Sequence, residues 1–228
     1  MFAKENLEKI VIESWDDIKP YEGKDLSDKH IILKEKVETV KLGVLKNCFV
    51  EGTNVICTKL INCHIENIAD VYVDEIEACI FKYCYKIQCG DYDEEFTIKD
   101  SKFLNCIKVI VSYGRVENCE FNKIHTLYLT GTDMTDCKIS DIVCKNDCVI
   151  SMEDGNISKC EFDNLDLSND SYIVNGYGSP WIENCIFENI HTSRTDGELF
   201  IQEEEKGIFK KIVSYCFVDE NSCIGLDD

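Results

Sequence analysis

The stretch that decides the fold is "IENCIFENI", residues 182–190, in which a cysteine lies between an asparagine and alternating large apolar residues. Nearly the same phrase occurs as "LINCHIENI" at 60–68 and as "VENCEFNKI" at 116–124. The shared pattern is aliphatic, any residue, Asn or Asp, Cys, any residue, Phe or Ile, any residue, Asn or Asp, aliphatic. Recurrence of one short pattern indicates stacked units that bury their apolar faces against each other.

The pattern recurs about nine times along the chain, and a further apolar run follows most copies. Successive Cys positions, one of which holds Ser, are 15 to 31 residues apart. The copies begin at Val44, Leu60, Ile76, Ile98, Val116, Met134, Ile157, Ile182 and Val213. Because the spacing is uneven, the sequence predicts a strand framework whose corners tolerate insertions.

The local chemistry of one copy explains its residue choice. Cys and Phe two residues apart point to the same face of a strand, and Cys is small enough for a narrow core. An Asn or Asp just before Cys tolerates the left-handed backbone of a tight corner. The sequence therefore predicts two columns of corner residues. The first holds Asn47, Asn62, Asp100, Asn118, Asp136 and Asn184, and the second holds Asn67, Asn105, Asp141, Asn164 and Asn189.

Period and pattern together resemble the right-handed parallel β-helix of pectate-lyase-like proteins over roughly residues 40–220. The resemblance implies an all-β, single-stranded helix of about nine coils. A four-sided pentapeptide-repeat helix is the alternative, but the insertions break its five-residue period. Apolar residues at helical spacing, from Leu7 to Ile18, predict a short capping helix. The predicted division is an N-terminal cap over 1–40 and a β-helix domain over 41–228.

Composition limits the function classes. The 44 acidic and 24 basic residues give a net charge of −20, which disfavours direct binding to nucleic acid or an anionic membrane. The N-terminus lacks the apolar core of a signal peptide, and no apolar run is long enough to cross a bilayer. Fifteen cysteines in such a chain predict reduced, structural thiols and a cytoplasmic location. No cofactor is predicted.

The strongest binding candidate is an outward row on the strands formed by the further apolar runs. Insertions flank these strands, and alternation predicts few charges in the row. The row is predicted to hold Ile56, Tyr72, Gln88, Ile110, Tyr128, either Val149 or Ile150, Ile173 and Phe200. Such an apolar and aromatic strip could pack on a protein or stack on sugars, and scattered surface residues are the plainer interpretation.

The loops offer two weaker candidates. Arg194 and Asp196 form a basic and acidic pair in a long loop and are added to the candidate binding residues. Four acids in "GDYDEE" are candidate calcium ligands, although runs of this kind are usually solvated: Asp91, Asp93, Glu94 and Glu95. The resemblance implies that a lyase or hydrolase would carry carboxylates or a basic residue on the strands. The predicted row carries neither, which favours a protein that is not an enzyme.

Three functions follow as hypotheses. The first is a rigid acidic scaffold that binds a protein, with self-association through the C-terminal end or the strip. The second is a carbohydrate-active enzyme or sugar-binding module. The third is an acidic mimic of DNA that occupies a nucleic-acid-binding protein.

Overall fold

The structure, a computed structural model, is a parallel β-solenoid of about eight turns. It describes residues 4–34, 39–90, 96–145, 147–193, 200–202, 213–214 and 217–218, with side chains as far as Phe200. The predicted fold class is confirmed. Within the described residues, each complete turn contributes one strand to each of three faces, and strands at both ends belong to turns that are described only in part.

The first face contains the Cys-x-Phe strands and is an eleven-stranded parallel sheet. Its strands, numbered in chain order with those of the other faces, are β1 (Glu8–Ile12), β3 (Lys29–Leu33), β6 (Phe49–Gly52), β8 (His64–Ile68), β10 (Ile80–Lys82), β13 (Lys102–Leu104), β16 (Glu120–Asn122), β19 (Lys138–Cys144), β22 (Glu161–Leu167), β25 (Ile186–Thr192) and β28 (Phe217–Val218).

The second face follows the first in each turn and contains the further apolar runs. Its strands are β4 (Thr39–Lys41), the first part of β7 (Asn54–Ile61), the first part of β9 (Asp70–Glu77), β11 (Lys86–Cys89), β14 (Lys108–Ser112), β17 (Thr126–Thr130), β20 (Cys148–Glu153), β23 (Tyr172–Tyr177) and β26 (Phe200–Gln202).

The third face contains the aliphatic positions that precede Cys. Its strands are β2 (Leu26–Ser27), β5 (Val44–Lys46), the last parts of β7 and β9, β12 (Phe96–Lys99), β15 (Gly114–Glu117), β18 (Asp133–Thr135), β21 (Asn156–Ser158), β24 (Trp181–Glu183) and β27 (Val213–Ser214).

The N-terminal segment departs from the predicted helix. Residues 8–12 form β1, which pairs in parallel with β3, and only α1 (Trp15–Ile18) is α-helical after a 3₁₀ turn at Lys4–Asn6. The predicted helix is wrong over residues 8–12 because buried and exposed side chains alternate there: Ile10 and Ile12 are buried, and Val11 between them is exposed. Pairing with a neighbouring strand therefore outweighs the weaker helical spacing. Strand β3 also pairs with β6, so the sheet continues across residue 40.

The corner prediction is confirmed by the backbone. All eleven residues of the two predicted columns have φ between 50° and 57°. Side chains link neighbouring turns, since Asn62 Nδ2 donates to Asn47 Oδ1 at 2.9 Å and Asn47 Nδ2 donates to Asp28 Oδ1 at 3.0 Å. Ala78 occupies the same column with φ 53°, which costs a non-glycine, non-Asn residue about 1–2 kcal/mol.

The core is a set of columns along the axis of the solenoid. Phe81, Phe103 and Phe121 are fully buried and stack with ring centroids 4.9 and 4.8 Å apart. The predicted cysteine column is buried and unbridged at Cys63, Cys79, Cys119, Cys137 and Cys185. Backbone N–H groups also donate to thiols of the next turn, as from Cys63 to Cys79 Sγ at 3.3 Å. The thiols thus accept hydrogen bonds from backbone N–H groups at the corners, and they also fill the core.

No helix in the described part of the chain is long and apolar enough to cross a membrane.

Candidate functional site

The outward row of the second face is confirmed only in its first half. Strand pairing aligns Ile56 with Tyr72, Tyr72 with Gln88, Gln88 with Ile110, and Ile110 with Tyr128. All of these side chains are partly exposed. Neighbouring members are about 4.8 Å apart, the separation of paired strands. Tyr72, Ile110 and Tyr128 therefore lie in one row on this surface, with the polar Gln88 between Tyr72 and Ile110.

The second half of the predicted row is wrong. Tyr128 pairs with Ser151, and Ser151 pairs with Asn175, so the outward row continues through polar residues. Val149, Ile150 and Ile173 are fully buried. The segments that precede β20 and β23 are hydrogen-bonded to each other next to these residues. For example, Ser171 Oγ donates to the Cys144 carbonyl at 3.0 Å.

Phe200 is also misplaced by the predicted row. It pairs with the inward-facing Val174 and is 8% exposed. Its ring contacts Phe187 edge-on, with the centroids 5.5 Å apart. A long insertion precedes this strand in the sequence. A shift of one residue in its register exchanges the inward and outward sides of the strand. Phe200 therefore belongs to the core.

The remaining predicted site residues, Arg194 and Asp196 together with the calcium candidates Asp91, Asp93, Glu94 and Glu95, lie outside the described residues. Within the described part of the chain, no three His, Cys, Asp or Glu side chains are grouped to hold a metal ion. Cys144 and Cys148, on either side of an inserted turn, are both buried. Burial and the Asp147 carboxylate raise the pKa of the Cys148 thiol to about 12, which keeps it protonated near neutral pH.

Two lysines are held against the confirmed half of the row. The Lys86 ammonium lies 4.9 Å from the centroid of the Tyr72 ring and donates to the Tyr72 hydroxyl at 3.3 Å. The Lys108 ammonium lies 4.1 Å from the centroid of the Tyr128 ring. Burial, followed by the charge of Asp147, raises the pKa of the Tyr128 hydroxyl. Tyr128 is therefore a neutral hydrogen-bonding group at physiological pH.

An exposed apolar ridge lies at the corner between the first and second faces. Tyr83, Tyr85, Ile107 and Val143 are 51%, 60%, 48% and 58% exposed. Tyr85, Ile107 and His125 occupy equivalent positions in successive turns, because each lies directly before the first residue of the second face. Tyr83 occupies the left-handed corner position with φ 55°. The ridge thus adjoins the strip of Tyr72, Ile110 and Tyr128 across one column of residues.

The residues of this ridge are absent from the predicted row. The repeats do indicate an exposed tyrosine here, because Tyr83 occupies the position at which other copies have the corner residues Asn67 and Asn105. A tyrosine in that column has to point away from the core.

A depression of about 450 Å³ at the other end of the first face differs from this surface in its charges. Its lining includes Lys102 with Glu120 and Lys138 with Glu161, and each of these pairs forms a salt bridge. Two of its three lysines are thus already matched by carboxylates, and the third is Lys159.

No protein-family model matches the chain, and comparison with curated proteins finds no significant match. The fold defines the class, a β-solenoid repeat protein, and the surface features carry the functional argument.

Proposed function

We propose that this protein is a non-catalytic cytoplasmic scaffold that binds a protein partner through its second face and the adjoining corner. The observation that carries the proposal is that Tyr83, Tyr85 and Ile107 of the exposed ridge lie beside the strip of Tyr72, Ile110 and Tyr128. Only the column that holds Lys86 and Lys108 separates them. Exposed apolar surfaces of this kind with polar borders are typical of protein interfaces, in which tyrosine is enriched.

Rigidity supports this role. The residues of the ridge and strip are fixed by parallel strand pairing and by a core of stacked rings. A partner would therefore meet a surface that needs little ordering, which lowers the entropic cost of association.

The observed contacts favour a protein over a carbohydrate ligand. An ammonium group already lies over the Tyr72 ring and another over the Tyr128 ring. Stacking of a sugar requires an accessible ring face. Lys108 occupies one face of the Tyr128 ring, and Lys86 binds the hydroxyl end of Tyr72. Lysines on this surface also disfavour mimicry of DNA, which requires an unbroken row of negative charges.

The proposal is tested by binding from a cytoplasmic extract with two matched double variants. Tyr85→Ser/Ile107→Ser removes the centre of the ridge, whereas Trp15→Ser/Ile186→Ser removes side chains of similar exposure elsewhere (59% and 41%). A specific partner should be retained by the wild type and the second variant and lost by the first. Loss of a central anchor costs about 2 kcal/mol or more, about thirtyfold in affinity.

Equal retention by both variants would contradict the proposal. Release of the partner by added oligosaccharides would replace it with the carbohydrate-binding function.

A further inference from the structure

In three successive turns, the corner between the first and second faces carries positive charge, whereas the whole chain is acidic. In three successive turns this corner consists of residues 82–86, 104–108 and 122–126, which we name the basic corner. These segments contain Lys82, Lys86, Lys108 and Lys123 and no acidic residue. The chain as a whole carries a net charge of −20.

Carboxylates lie near three lysines of the basic corner without forming salt bridges to them. Lys82 and Lys86 are the strand-pair neighbours of Glu66 and Asp70, and the charge of Lys123 acts on Asp141. In the described part of the chain, none of the four forms a salt bridge, whereas Lys102 and Lys138 on the neighbouring first face do. Three of them lie over tyrosine rings instead: Lys82 is 5.1 Å from the Tyr83 centroid, and Lys86 and Lys108 contact Tyr72 and Tyr128. These three ammonium groups are therefore held beside exposed apolar surface, and within the described residues no direct ion pair neutralises them.

Acidic turns border the basic corner at both ends. The corresponding segment of the preceding turn, residues 66–70, contains Glu66 and Asp70. The segment of the following turn, 140–144, contains Asp141, and the next, 163–167, contains Asp163 and Asp166. An anion that extended beyond three turns would meet like charges.

The length of the basic corner sets the size of its ligand. Its first and third turns are about 10 Å apart, at about 4.8 Å per turn, which matches three to four residues of extended peptide. A long polyanion such as a nucleic acid would extend over the acidic borders on either side, which disfavours it. A short peptide that combines acidic and apolar side chains would match both the lysines and the ridge.

We infer that the basic corner binds a short acidic peptide segment of a partner protein, with an apolar or aromatic side chain packed between Tyr83, Tyr85 and Ile107. This inference rests on the proposed scaffold function and specifies the chemistry of the partner.

Binding can be measured by fluorescence anisotropy with labelled tetrapeptide pools in which Asp or Glu alternates with Leu or Phe. A neutral pool with Asn and Gln in place of the acids is the ligand control. The test variant carries Lys82→Gln, Lys86→Gln, Lys108→Gln and Lys123→Gln. The control variant changes the same net charge elsewhere, at exposed lysines without salt bridges in the described chain: Lys9→Gln, Lys24→Gln, Lys34→Gln and Lys46→Gln.

The wild type should bind the acidic pool saturably and more tightly than the neutral pool, with weaker binding at higher salt. The test variant should lose about tenfold or more in affinity, as expected for the loss of several exposed charge pairs, and the control variant should lose little. Equal binding of the two pools, equal loss in the two variants, or tighter binding of a dT12 oligonucleotide than of the acidic pool would each overturn the inference.

The partner captured for the proposed function separates the two claims. Loss of that partner in Tyr85→Ser/Ile107→Ser with full retention in the test variant would keep the scaffold function and discard the acidic ligand.

Discussion

The column of stacked phenylalanines predicts a stability difference between two chemically identical substitutions. Phe103 stacks on Phe81 on one side and on Phe121 on the other, with interplanar angles of 2° and 7°. Phe81 stacks on Phe103 alone in this column, because its other neighbour by strand pairing is Ile65. Both rings are fully buried, so their replacement by alanine removes the same volume.

Truncation of a buried phenylalanine to alanine costs about 3–5 kcal/mol, and each stacked ring pair contributes about 0.5–1.5 kcal/mol beyond its buried area. Phe103→Ala loses two ring pairs, whereas Phe81→Ala loses one. We therefore expect Phe103→Ala to lower the free energy of unfolding by about 1 kcal/mol more than Phe81→Ala does. At this chain length that difference corresponds to about 2–4 °C in Tm.

The assay is urea unfolding followed by far-ultraviolet circular dichroism and by tryptophan fluorescence. The two tryptophans, Trp15 in α1 and Trp181 in β24, lie near opposite ends of the described solenoid. Single-tryptophan variants therefore report whether both ends unfold together, which the comparison of free energies requires. An equal or larger loss of stability in Phe81→Ala would refute the argument that stacking along the column adds to burial.

Three further predictions follow from individual residues. Ala78→Asn should raise the free energy of unfolding by about 1 kcal/mol, measured by urea titration, because asparagine tolerates the left-handed corner and can join the column beside Asn62; a destabilised variant would contradict this. Tyr128→Ser should remain folded by circular dichroism, whereas Phe200→Ser should lose about 3 kcal/mol or more, since only Phe200 is in the core; the reverse order would show that the register is wrong. Burial lowers the pKa of His64 in the folded protein below the unfolded value near 6.5. Neutral His64 therefore contributes fully to folding stability above pH 6.5, and this contribution is lost as pH falls through the lower pKa of the folded protein. His64→Gln should therefore reduce the loss of stability below pH 6.5, and an unchanged pH profile would refute that role.

The proposed binding surface was only partly predictable from sequence. Tyr72, Ile110 and Tyr128 were placed correctly because no insertion interrupts the alternation on their strands, and the turns that contain them align by pattern. Ile173 and Phe200 were placed wrongly because each follows an inserted turn. The insertion leaves the number of residues before the first paired position undefined by sequence. The exposed ridge was missed because Tyr83 and Tyr85 lie at a corner, outside the strands that alternation describes.

The sequence by itself determined the repeating unit of this protein. Asn or Asp before Cys defines a left-handed corner, and Cys-x-Phe defines the inward side of the strand that follows, because both depend on backbone preferences and spacing within a few residues. The tertiary structure decided what depends on the neighbouring turn. Hydrogen bonds between turns set the register after each insertion, made residues 8–12 a strand, and brought four lysines distant in sequence together as the basic corner. Side chains alternate with a period of two, so a shift of one residue exchanges the core and the surface, and only pairing with an adjacent turn fixes that shift.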